Sequence, residues 1–143
     1  MVEKILGRFI YEDLEYMVGT NVEFIHSYKV DYPFVMISTK SSKKKRGKSN
    51  HKFDAHYLRV DVKEPIKLAR KILNVYKEAY INTDFIIVQG YDDSKWKRER
   101  LYITALQTIG FIFIKEYNKS NILIRKDLKV KKKHINNILK KLE

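Results

Sequence analysis

Near the start of the chain apolar residues recur at helical spacing, as Leu6, Phe9, Ile10, Leu14 and Met17. That period predicts a helix from about Glu3 to Val18, ended by Gly19. The pattern then shortens. Asn21 to Tyr28 reads as a first strand, Pro33 to Thr39 as a second with Phe34-Val-Met-Ile as its apolar run, and Phe53 to Lys63 as a third. The third alternates strictly. Leu58, Val60 and Val62 share one face, and Tyr57, Arg59, Asp61 and Lys63 share the other. Pro65 suits a helix start, and Ala69, Ile72, Leu73, Tyr76 and Tyr80 mark that helix's buried face. Asp84 to Gln89 is a short apolar strand of the kind found inside a sheet. Ser94 can cap a third helix with Leu101, Tyr102, Ala105, Leu106 and Ile109 inside and Gly110 at its end. Phe111 to Tyr117 and Asn121 to Arg125 form a hairpin around Asn118. Asp127 then caps a last helix that turns Ile135, Ile138, Leu139 and Leu142 to one side and lysines to the other.

The predicted order is αβββαβ followed by αββα, which describes an α/β protein with a mixed central sheet and flanking helices. No repeat and no Gly/Ser/Pro linker divides the 143 residues, so they read as a single domain, with a core over 1–90 and a C-terminal elaboration over 91–143. Residues 40–50 lack any apolar side chain and are expected to be a solvated, mobile loop joining the second and third strands.

Charge changes the picture most. Thirty lysines and arginines oppose 17 acids, giving a net charge of +13. Such a field attracts polyanions, of which nucleic acid and anionic membrane surfaces are the common kinds. Lys43, Lys44, Lys45, Arg46 and Lys48 concentrate five charges in the loop. Like charges repel, so the run does nothing for folding, whereas neutralising phosphates would give it a purpose. With Arg59 these residues are the candidate nucleic-acid contacts. Lys129, Lys131, Lys132, Lys133, Lys140 and Lys141 form a second basic set that a solvated helix face would also explain. There is no cysteine, no stretch approaching the ~18 apolar residues of a membrane span, and no signal-peptide pattern. These features agree with an intracellular, cytoplasmic protein without a membrane partner. Scattered glycines exclude a P-loop, and the four histidines show no metal-ligand spacing.

Asp61 and Lys63 neighbour each other at the predicted end of the third strand. Antiparallel pairing would bring the start of the second strand, with Asp31, beside them. Two carboxylates on one ion can bind a hard divalent cation, and a nearby lysine can orient water or stabilise charge on a phosphate. The element order and these residues resemble the PD-(D/E)XK nuclease superfamily, with the small archaeal Holliday-junction resolvases most similar. The resemblance covers roughly residues 1–90. It implies a restriction-endonuclease-like core, an archaeal or archaeal-virus source, and a site that binds Mg²⁺ or Mn²⁺ and hydrolyses DNA phosphodiesters. Asp31 matches the family's first aspartate, Asp61-Val62-Lys63 its acid-x-lysine motif, and Glu12, in preference to Glu15, its helix glutamate. DNA is thus favoured over RNA as partner, and a homodimer fits the same reading. The sequence departs from the pattern in that proline follows the first aspartate and the loop between strands two and three is long.

Two other readings stand beside this one. A non-catalytic DNA- or RNA-binding protein or ribonucleoprotein subunit needs only the basic surface. His56, Tyr57 and Lys63 also resemble, locally, the metal-independent archaeal tRNA-splicing endonucleases. On the plainest reading Asp61 and Lys63 are an exposed cross-strand pair, Asp31 starts a turn, and Glu12 solvates a helix.

Overall fold

In the computed structural model the residues described are 1–40, 51–54, 63–89 and 96–143. The chain runs β1 (Val2–Tyr11), β2 (Leu14–Ile25), β3 (Tyr28–Lys40), β4 (His51–Asp54), α1 (Pro65–Ala79), β5 (Phe85–Gln89), α2 (Trp96–Gln107), β6 (Phe111–Tyr117), β7 (Ser120–Arg125) and α3 (Lys132–Lys141). One mixed sheet carries the order β1-β2-β3-β5-β7-β6, with β4 also paired to β3. The pair β3–β5 is parallel and the other ladders are antiparallel.

The predicted first helix is instead the β1–β2 hairpin. Its turn, Glu12–Asp13, has both residues at positive φ, as do His26–Ser27 between β2 and β3 and Asn118–Lys119 between β6 and β7. Paired positive φ values are those of the two-residue hairpin turn whose twist matches the strands. The helical spacing arises from a bulge between Ile5 and Gly7, which breaks the two-residue alternation. Leu6 and Phe9, three apart, thereby join Tyr11 and Leu14 against the same core. Ile10 points the other way and is 71% exposed. Gly19 ends nothing. It lies mid-strand in β2, where a Cβ would come within 3 Å of the Phe34 ring and of the Lys4 carbonyl oxygen.

Helices lie on both faces of the sheet. Leu68, Ile72 and Tyr76 of α1 and Leu106 of α2 pack with Tyr16, Val18, Val35, Ile37, Ile86, Val88 and Leu123. On the opposite face Ile138 and Leu139 of α3 pack with Ile25, Val30, Tyr32, Phe85, Ile87, Ile122 and Ile124. Strand β5 feeds both cores, which is why its sequence is continuously apolar. Each buried Ile or Leu of α3 contributes about 1.5–3 kcal/mol, enough to hold a ten-residue helix that its lysine-rich first turn disfavours. That helix begins at Lys132 with Lys131 as N-cap, so Asp127 is not its cap. The mixed α/β sheet with flanking helices is as expected; the opening helix is not.

Candidate nucleic-acid interface

Asp31 lies within β3 and is fully buried, between Val22 of β2 and Ile86 of β5. Its Oδ1 accepts the Thr20 hydroxyl at 3.1 Å, and its Oδ2 accepts the Thr83 hydroxyl at 2.6 Å. Lys29 Nζ stands 3.2 Å from Oδ2 and also donates to Thr83 Oγ1. Tyr80 donates to Thr20 Oγ1 from above. Burial pushes the Tyr80 phenol well above its ordinary value, the Thr20 hydrogen bond opposes that, and the Asp31 charge adds to it. These contacts make Asp31 a pin between β2, β3 and the α1–β5 connection. Both its oxygens accept from neighbouring side chains and it has no exposed surface.

The expected convergence of Asp31 with Lys63 does not occur. It assumed that the third strand would run back alongside Asp31, but β5 occupies that position in the sheet. Strand β4 pairs only with Ile37–Lys40, and Lys63 lies just before α1. There its backbone N–H meets the Glu12 carboxylate, at 2.9 and 3.1 Å to the two oxygens. Tyr11 beside it donates to the Glu64 carbonyl at 2.7 Å. Glu12 thus sits on a hairpin turn clipped to the start of α1, and Glu15 lies in β2 opposite Ile10. Eight residue steps along β2 lead from Leu14 to Val22, so Glu12 and Asp31 stand roughly 25 Å apart. Asp61, Arg59, His56 and Tyr57, and the loop lysines Lys43, Lys44, Lys45 and Lys48 with Arg46, lie outside the described residues. Among the described residues no group of three His, Asp or Glu side chains could hold a metal ion.

Two histidines that look unrelated in sequence are in contact. His26, in the β2–β3 turn, stacks on His134 of α3 with ring centroids 5.3 Å apart. His134 Nδ1 hydrogen-bonds the Tyr28 hydroxyl at 2.9 Å, and His26 Nε2 accepts from Asn137 at the same distance. This cluster fixes the N-terminal half of α3 against the sheet. More than a hundred residues of separation hide it from any spacing rule.

The charge is concentrated in and before α3. Residues 115–143 hold ten lysines and arginines against three acids. Lys129, Lys131, Lys132, Lys133, Lys140 and Lys141 are all exposed, while Arg125 is tied to Asp84. The first turn of α3 has no acid and no side-chain cap. Lys131, Lys132 and Lys133 therefore stand exposed together at the positive end of the helix, an arrangement that costs stability unless an anion joins it. No described helix is long and apolar enough to cross a membrane. Comparisons with protein-family models, curated proteins and solved structures gave no match.

Proposed function

We propose that this protein binds nucleic acid, with DNA favoured, and that α3 with the strand β6–β7 turn beneath it is a principal contact surface. The observation that carries the reading is the amphipathic division of α3. Its apolar stripe is spent on the sheet core and its six neighbouring lysines are all turned to solvent. Phosphate contacts by those lysines would release counterions, so affinity would fall steeply with salt. The test is binding of a labelled duplex and a single strand across a salt series, for the wild type and for Lys131→Glu/Lys132→Glu/Lys133→Glu. A log–log slope that loses roughly two to three units in the variant supports the reading. Binding that is absent, insensitive to salt or unchanged in the variant rejects it.

Hydrolysis of the bound DNA with Mg²⁺ or Mn²⁺ is a second reading, favoured by one observation, that the Glu12 carboxylate lies beside the backbone of Lys63. On this reading β2, β3, α1 and β5 would stand for a restriction-endonuclease-like core whose opening helix is replaced by β1, and Asp31 would be structural. Metal-dependent cutting that is lost in Asp61→Ala would support it. Salt-sensitive binding without cutting leaves the binding function alone.

A further inference from the structure

The rows of side chains that β2, β3, β5 and β7 turn toward α3 change character along a diagonal across the strands. Ile25 gives way to Glu23, Val30 to Tyr32, Phe85 and Ile87 to Gln89, and Ile124 and Ile122 to Ser120. Four polar residues from four adjacent strands thus meet just past the C-terminal end of α3, with Gln89 at the carboxyl end of β5 and Tyr32 in the first half of β3. They line a cleft of about 490 Å³, together with Lys119 and Lys141. The rim is fixed in advance, because Asn118 Nδ2 donates to the Leu142 carbonyl at 2.7 Å and Tyr117 to Glu143 at 2.8 Å.

We propose that this cleft takes one nucleotide of a bound strand, base inward and phosphate on the rim; the inference rests on the nucleic-acid reading above. Glu23 accepts a hydrogen bond from the Tyr32 hydroxyl on one oxygen, which leaves its second oxygen for an N–H donor of the ligand. Gln89 offers both a donor and an acceptor beside it. A simple anion is disfavoured by the Glu23 charge, and a simple cation by the two lysines. The ligand must therefore be bipolar, with N–H donors at one end and negative charge at the other. A nucleotide has that layout and a size suited to the cleft, whereas a free amino acid would leave most of the volume to water.

The test is an amide NMR titration of the full chain with each of the four nucleoside 5′-monophosphates, with nucleosides and inorganic phosphate as probes of the two halves. Saturable shifts at Gln89, Lys119, Ser120 and Lys141 are expected with monophosphates, and weaker ones with either half alone. Gln89→Ala and Glu23→Gln should each weaken binding about fivefold or more, the loss of one hydrogen bond, with the unfolding midpoint unchanged. Equal shifts with phosphate alone, or no shifts at the cleft, overturn the proposal. Oligonucleotide binding in the same samples separates the two readings. A strand that binds with a salt slope while monophosphates leave the cleft unmoved rejects the cleft and keeps the interface. Monophosphates that dock while no strand binds reject the interface and keep a free-nucleotide site.

Discussion

At the scale of single residues, Asp31 and Gly19 show how little room the centre of this sheet leaves. Asp31 is enclosed by Thr20, Thr83 and Lys29, so Asp31→Ala removes a buried charge and leaves a largely buried ammonium without its counter-ion beside two hydroxyls that have lost their acceptor. Breaking a buried pair in this way costs about 3–5 kcal/mol, and urea unfolding should show it. Salt-dependent binding by the protein that remains folded should not change. A Gly19→Ala variant pushes a methyl into the Phe34 ring and the Lys4 carbonyl, one of them backbone, and should destabilise by about 1–3 kcal/mol in the same measurement. The Phe34→Leu/Gly19→Ala double variant should recover part of that loss if the ring is the obstacle.

At the scale of elements, α1, α2 and the strands β5 to β7 were legible because each carries a clean period and a recognisable boundary, such as Pro65 or Gly110, whereas α3 showed its apolar face but not its start, which is Lys132 and not the expected Asp127 cap. The β1–β2 hairpin was not. Its turn, Glu12–Asp13, lacks the glycine that usually announces positive φ, and the bulge at Ile5 and Gly7 imitates a helical spacing. The same kind of gap explains the site. The sequence singles out Asp31 as a metal ligand, but its partner Thr83 follows from β5 being inserted beside β3, which no local pattern announces. The polar row Glu23, Tyr32, Gln89 and Ser120 is likewise spread over four strands. For α3 the balance of forces yields a prediction of opposite signs. Lysines in its first turn oppose the helix dipole, so replacing Lys131, Lys132 and Lys133 by glutamate should leave the thermal midpoint at or above wild type. The same triple substitution should weaken duplex binding by about tenfold or more. A large fall in the midpoint would instead make those lysines part of the fold.

At the scale of the whole molecule, a net charge of +13 makes self-repulsion a standing cost near neutral pH, and a bound polyanion relieves it. Titrating the lysines away at alkaline pH should then stabilise the fold, yet two tyrosines act in the opposite direction. Tyr80 is held protonated by burial and then by the Asp31 charge, and Tyr32 by burial and then by its hydrogen bond to Glu23. Both phenols are raised in the folded state above the ordinary value of 10.0, so the unfolded chain releases those protons first. Their stabilisation is complete below pH 10 and declines above it, by about 1.4 kcal/mol per pH unit for each proton the fold retains. Urea unfolding from pH 8 to 11 should therefore show stability falling above pH 10, and Tyr32→Phe should flatten that fall by the contribution of one proton. A curve that rises through the same range in the wild type would mean that relief of lysine repulsion outweighs both tyrosines, and that the basic surface strains the fold more than its buried phenols support it.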